Sequence, residues 1–235
     1  MNNLLAQPWM VWARTRFREN PVARSLWVKL ASRFDYEERF GSALLGAVDS
    51  NSVVWDVGAN VGLYTEKFLA KHARRVVCFE PAPDAVGTLR ARFTANSPSS
   101  ATVAIMPVAL SDTEGTASMS VEGSSPTNRL QAKTQNGGSF TDVAVRRADQ
   151  LIRSELAPMP NVLKVDVEGY ELEVLSGFGD YLKSDDLRAV FVEVHFKILH
   201  ERGLDDAPQR IAQLLSASGF AVRWLDLSHV CGTRA

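Results

Sequence analysis

Asp56-Val57-Gly58-Ala59-Asn60-Val61-Gly62 follows the run Val53-Val54-Trp55 and leads into a stretch with helical spacing through Phe68 and Leu69. Glycine and asparagine tolerate a positive φ, so the chain can turn sharply from strand to helix there. The helix start then offers unpaired N–H groups to a ligand. This is not the G-x-G-x-x-G dinucleotide fingerprint, because Asn60 stands where a side-chain-free glycine would let a pyrophosphate touch the backbone. Asp56 adds a carboxylate at the strand tip, which disfavours phosphate and suits a positively charged ligand. Glu80, 22 residues after Gly58, ends the next apolar run and is positioned to accept hydrogen bonds from ribose hydroxyls. Turn and acid together predict a nucleoside-type cofactor.

Working outward, residues 75–80 read as a second strand, 83–93 as a helix and 101–108 as a third strand. Strand alternating with helix is the pattern of a parallel sheet covered on both faces. Residues 111–147 interrupt it with Ser-, Thr-, Gly- and Asn-rich turns around two period-two stretches, 116–121 and 141–145, which predicts an antiparallel excursion. The alternation then resumes: strand 162–167, helix 171–178, strand 189–194, helix 208–216 and strand 220–225. Residues 228–231 suggest a closing hairpin strand, short or incomplete because the sequence ends soon after.

The chain has 235 residues with 26 basic and 27 acidic side chains, a net charge of -1. That balance argues against a protein built to grip nucleic acid. Apolar residues at 46% and charged ones at 23% exclude disordered and fibrous classes. Cys78 and Cys231 have neither zinc nor CxxC spacing, so a reducing cytoplasm is the expected setting. No run of about 18 apolar residues is present, and no secretory signal pattern is recognised. Residues 1–33 carry six basic residues against Glu19 alone, with Trp9, Trp12, Phe17, Leu26, Trp27 and Leu30 among them. Helices over about 9–17 and 21–34, packed on the domain, are the first reading. A peripheral membrane or partner contact through residues 1–33 is the alternative. The predicted division is a helical appendage over 1–45 and a catalytic domain over 46–235.

Five blocks in order, DVGANVGLYT (56–65), FEPAP (79–83), VALSD (108–112), LKVDVEGYELEVLSG (163–177) and VEVH (192–195), make the sequence resemble the FkbM-type methyltransferase family. The resemblance implies a Rossmann-like class I α/β fold: a mostly parallel central sheet, helices on both faces and antiparallel C-terminal strands. It implies S-adenosyl-L-methionine as cofactor and O-methylation of a hydroxyl on a sugar, glycan or secondary metabolite. Carried onto this chain, cofactor contacts fall on Asp56, Gly58, Ala59, Asn60, Gly62, Tyr64, Thr65, Glu80, Pro81, Ala109, Leu110 and Asp166. Asn128 and Arg129, within the excursion, fall where the acceptor would approach.

Ligands of an open α/β sheet bind beyond the carboxyl ends of its strands. That rule gathers Asp56, Glu80, Ala109–Leu110, Asp166 and Glu193 to His195 around one crevice. Hydroxyl methylation needs a base, and His195, with an ordinary pKa near 6.5, is the first candidate. Glu193, two residues earlier and on the same face, is expected to hold its tautomer or help bind the acceptor. Asp166 and Glu168 are the fallback bases, and by resemblance Glu168 orients the acceptor. Lys164 is expected to form a salt bridge on the face of Asp166. The carboxylates could hold a divalent ion, but no spacing fixes one, and no metal is expected. His72, His200 and His229 lack any partner pattern and read as structural. Two alternatives remain: a nicotinamide-dependent oxidoreductase on a similar sheet, and a non-catalytic cofactor-binding module attached through the N-terminal arm.

Overall fold

The computed structural model describes residues 36–93, 103–120, 129–130 and 140–234. The helices expected over 9–17 and 21–34, and with them the membrane or partner reading of residues 1–33, lie outside these. Among the described residues no helix is long and apolar enough to cross a membrane.

The element order is α1 (Tyr36–Gly46), β1 (Val53–Val57), α2 (Leu63–Ala70), β2 (Arg75–Phe79), α3 (Pro83–Phe93), β3 (Val103–Met106), β4 (Ala109–Leu110), β5 (Gly115–Ser120), β6 (Arg129–Leu130) and β7 (Phe140–Arg146). It continues through α4 (Ala148–Arg153), β8 (Val162–Val165), α5 (Glu171–Ser176), a 3-10 turn (Gly179–Lys183), β9 (Ala189–Glu193), α6 (Phe196–Glu201), α7 (Ala207–Ala217), β10 (Ala221–Trp224) and β11 (His229–Thr233). Seven strands form one sheet in the order β10-β11-β9-β8-β1-β2-β3. Every pairing is parallel except those of β11, which runs antiparallel to both β9 and β10. β1 is interior, and all five of its residues are buried, as a strand covered on both faces requires.

The pleat sorts its side chains into two cores. Val53, Trp55 and Val57 join Leu172, Leu175, Phe178, Ile211 and Leu215 on one face. Val54 joins Phe40, Leu44, Phe68, Leu89 and Phe93 on the other. Phe40 and Leu44 belong to α1, so the expected boundary after residue 45 cuts a helix that is packed into the domain core. The C-terminal hairpin also differs from expectation. β11 is a full five-residue strand, inserted between β9 and β10 and bonded on both edges.

The excursion is a second sheet of order β4-β7-β5-β6, with β5 and β7 antiparallel along six residue pairs. The strand expected over 101–108 ends early: β3 stops at Met106, and Ala109–Leu110, just beyond the expected stretch, pairs with β7. Met119 of β5 packs with Val143, Ala82 and Ala85, which docks this sheet onto the start of α3.

Between β1 and α2 the chain takes left-handed conformations at Gly58 (φ 74°), Asn60 (φ 48°) and Gly62 (φ 83°). Gly58 is fixed by more than φ. Its N–H donates to the Phe79 carbonyl at 2.9 Å, and a Cβ there would stand 1.8 Å from the Asp166 carbonyl oxygen. The glycine turn and the chain after β8 therefore touch backbone to backbone. Gly58→Ala should lower unfolding free energy by about 3 kcal/mol or more in urea titration. Gly87→Ala, in α3 with open space around its Cα, should raise it by about 0.5–1 kcal/mol.

Candidate active site

β1 and β8 are neighbours from which the chain leads off in opposite directions, so their carboxyl ends diverge into a crevice. A cavity of about 510 Å³ opens there, within the ~300–1,000 Å³ usual for small-molecule sites. One end is lined by Gly58, Asn60, Leu63, Phe79, Glu80, Pro81 and Ala85, the other by Asp166, Val167, Glu168, Tyr170, Glu193 and His195. Val57, Val108, Ala109, Leu110 and Met119 complete the wall.

Glu80 is buried at the tip of β2. Its Oε2 accepts the Asn60 N–H at 2.8 Å and its Oε1 the Ala82 N–H at 2.9 Å. Burial raises its pKa, against the lowering effect of these two backbone donors and of Lys164. An ionised carboxylate has about four acceptor sites, so two backbone donors leave capacity for hydroxyls of a nucleoside. The donor set, the volume and the side-chain-poor turn suit such a group.

Of the residues expected to contact the cofactor, Gly58, Asn60, Glu80, Pro81, Ala109, Leu110 and Asp166 line the cavity. Asp56, Ala59, Gly62, Tyr64 and Thr65 are not among the lining residues. Asp56 is 0% exposed, sits opposite Lys164 in the β1–β8 register, lies 3.0 Å from its Nζ and accepts the Thr65 hydroxyl at 2.7 Å. Its side chain is therefore packed into the core beside α2, off the cavity wall. Tyr64 packs edge-on to Phe40. Lys164 forms the expected salt bridge. Buried at 2% exposure, it also reaches Asp166 at 3.4 Å and donates to the Gly58 carbonyl at 3.0 Å. Burial alone would lower its pKa, but Asp56 and Asp166 outweigh that and raise it.

At the other end, Asp166, Glu168, Glu193 and His195 are all brought to the cavity. The partnership expected within this group is different, however. The His195 imidazole is held by Glu171, whose Oε1 lies 2.7 Å from Nδ1 and also accepts the Gly169 N–H at 2.8 Å. A carboxylate accepts only, so Nδ1 carries the proton and Nε2 faces Asp166 and Glu168 at 3.7 and 3.6 Å. Burial lowers the histidine pKa, but the Glu171 hydrogen bond and charge, with Glu168 and Asp166, raise it to about 9. At neutral pH His195 is therefore an imidazolium in the free protein, contrary to the ordinary value assumed from sequence. Glu168 and Gly169 take left-handed φ of 53° and 93°, the sharp turn that lets the chain after β8 double back into α5.

Glu193 instead lies 3.5 Å from Nε2 of His229, a residue read from sequence as structural. Glu171 lies 24 residues from His195, and Glu193 lies 36 residues from His229, separations no local pattern records; the local signal for His229 is Asp226, three residues before it and 2.8 Å from its Nδ1. Asp166, Glu193 and His195 each bring one donor atom within 4.8 Å of the others, a spacing that a divalent ion could span and that a proton on His195 also satisfies. Of the expected acceptor contacts, Asn128 lies outside the described residues. Arg129 is described only by its backbone, which pairs with Ser120 in β6.

Residues 56–222 match the family model described as the methyltransferase FkbM domain. The chain is 35% identical over 173 residues to "Hexuronic acid methyltransferase AglP" of Haloferax volcanii, covering 74% of this chain and 65% of the relative, so it spans just under two thirds of that protein. It is 28% identical over 182 residues to "Methyltransferase sdnD" of Sordaria araneosa, covering 63% of this chain and 70% of the relative. A crystal structure of methyltransferase FkbM from Methylobacillus flagellatus superposes with a TM-score of 0.54 at 16% identity, covering 79% of this chain and 44% of that one, and shares the fold. With the family model covering well over half of its length, the chain belongs to the FkbM-domain methyltransferases.

Proposed function

We propose that this protein transfers a methyl group from S-adenosylmethionine to a hydroxyl oxygen of a sugar, glycan or related metabolite. The observation that carries the reading is the Glu171–His195 pair, which faces Asp166 and Glu168 in the same cavity as Glu80 and the glycine turn. When bound, the cofactor supplies an electrophilic methyl on a sulfonium. Glu80 would hold its ribose hydroxyls, the Gly58–Asn60 backbone would lie along its nucleoside, and the Asp166 carboxylate would face its cationic end. In this reading α1 belongs to the catalytic unit, which begins ahead of the boundary at residue 46 expected from sequence.

The acceptor atom follows from proton bookkeeping. A hexuronic acid, the compound in the name of the Haloferax volcanii relative, offers both hydroxyls and a carboxylate. A carboxylate oxygen has no proton to lose, and it would meet three like charges, Asp166, Glu168 and Glu193, against the single imidazolium of His195. A hydroxyl must lose its proton as the new bond forms, and His195 Nε2, with Nδ1–H held by Glu171, is the group placed to take it. Glu171 cannot replace it, being fully buried behind the ring.

Calorimetric titration with S-adenosylhomocysteine should give a single site, and NAD should give none; binding of NAD alone would return the oxidoreductase reading. Glu80→Ala should weaken S-adenosylhomocysteine binding by about 10–100-fold, the loss of one or two charge-assisted hydrogen bonds. Products from a panel of neutral sugars, amino sugars and uronic acids should gain one methyl by mass spectrometry and keep it through mild alkali. A methyl released by alkali is an ester and overturns the hydroxyl assignment.

The pH dependence has a defined sign. The base works as neutral imidazole, and that form grows as pH rises toward about 9, so turnover should climb about tenfold per pH unit over the range below it. His195→Ala should lower turnover by about 10²–10⁴-fold and flatten the climb, with cofactor affinity unchanged. Equal loss of cofactor affinity in this variant would show that the histidine serves the cofactor instead.

A further inference from the structure

Behind Glu193 stands a buried acid–imidazole pair that the proposed chemistry has not used. His229, at 6% exposure, follows the turn between β10 and β11 and lies directly opposite Glu193 in the β9–β11 register. Its Nδ1 lies 2.8 Å from Asp226 Oδ2 and its Nε2 3.5 Å from Glu193 Oε2. Nδ1 meets one carboxylate at hydrogen-bond distance and Nε2 a second in ion-pair range; against burial, these two acids raise the histidine pKa to about 9, which favours the imidazolium. Asp226 cannot swing away, because its Oδ1 accepts the backbone N–H groups of Ser228 at 2.8 Å and His229 at 2.9 Å. The ring itself is stacked on Phe40 of α1, centroid to centroid 4.1 Å. The turn is tied to the end of β9 by the Val194 N–H, which donates to the Ser228 carbonyl at 2.7 Å.

We infer that His229 is a positioning residue: anchored by Asp226 and Phe40, it holds the Glu193 carboxylate in the acceptor end of the cavity, where Glu193 accepts a hydrogen bond from a second hydroxyl of the acceptor. This rests on the hydroxyl-methylation reading. The geometry supports it at both ends of Glu193. Away from the cavity its carboxylate meets the fixed imidazolium, and on the cavity side it comes within 4.8 Å of His195 and Asp166 donor atoms, the distance at which adjoining hydroxyls of one polyol can bridge two protein groups. Without a fixed cation behind it, a half-buried carboxylate facing Asp166 would be pushed toward its protonated form or out toward water. Consistent with this, burial raises the Glu193 pKa, but the His229 hydrogen bond, with the charges of His195, His229 and Lys164, outweighs burial and lowers it. The acceptor class that results is a polyol with neighbouring hydroxyls, one methylated and one held.

Two substitutions at one position separate positioning from packing. His229→Leu keeps an apolar body against Phe40 and removes both N–H groups; His229→Gln keeps an N–H toward Glu193 and loses the charge. Carbon-13 NMR titration of the Glu193 carboxyl, assigned through Glu193→Gln, should place its midpoint below the ordinary glutamate range in the wild type. The midpoint should shift upward in His229→Leu and by less in His229→Gln. With glucuronic acid as probe acceptor and methyl incorporation read at low and saturating concentrations, His229→Leu should raise KM about tenfold with kcat changed less than threefold, and His229→Gln should recover most of the loss. S-adenosylhomocysteine affinity should match the wild type in both variants, and its absence already in the wild type would instead sink the methyltransferase reading. An unmoved Glu193 midpoint in folded His229→Leu, or unchanged methyl incorporation at low glucuronic acid, overturns the inference.

Discussion

A lysine side chain with almost no exposure to water holds the active-site end of this sheet together. Lys164 Nζ sits between Asp56 on β1 and Asp166 just beyond β8, and also donates to the Gly58 carbonyl. An ammonium taken out of water without partners would lose its proton. Here two carboxylates and a carbonyl keep it charged, and in doing so they fix three chain segments relative to one another. Gly58 meets Asp166 backbone to backbone only because no Cβ intervenes, so steric fit and ion pair reinforce each other. Removing the Asp56 carboxylate would leave a buried cation short of a partner, so these groups must be read as a set.

The crevice built on that set has two electrostatic ends. At the β2 side a single acid, Glu80, is tied down by backbone N–H groups and presents its remaining lone pairs. At the β8–β9 side, three half-buried carboxylates share space with one imidazole, and a carboxylate–imidazole pair stands on each flank: Glu171–His195 and Asp226–His229. Fixed partners of opposite sign allow groups of like charge to stand close together without being expelled to water. The second sheet, docked through Met119 on Ala82 and Ala85, walls the space between the two ends. In the proposed reaction, the acceptor would thus meet a shaped, half-buried surface whose polar groups are already held by fixed partners, the preorganisation on which such transfers depend.

Much of this was readable from residues alone. The β-branched runs, the glycine turn and the acid 22 positions on imply a parallel sheet with a nucleoside-type site, and the structure has that sheet. The pleat puts Lys164 on the face of Asp166, which predicts its salt bridge, and the structure has it. The misread positions share a cause. Asp56 stands at a strand tip in the sequence, but only the β1–β8 register reveals that Lys164 lies opposite it and draws it into the core. Glu193 and His195 are two residues apart and were paired on that ground, yet the chain turns into α6 immediately after β9, and each finds a different partner. Glu171 is the first residue of α5, and only the bend at Glu168–Gly169 carries it behind the imidazole.

The sequence by itself determined the alternation of strand and helix, the left-handed turn at Gly58 to Gly62 and the chemical types of the side chains at strand ends. These are set by local sterics and by hydrophobic periodicity within a few residues of chain. Tertiary structure alone decided which carboxylate serves which imidazole, which acids face the cavity and where the last strand enters the sheet. Those outcomes depend on register and on the burial of charge between segments far apart in the chain, and neither is encoded in any short stretch of residues.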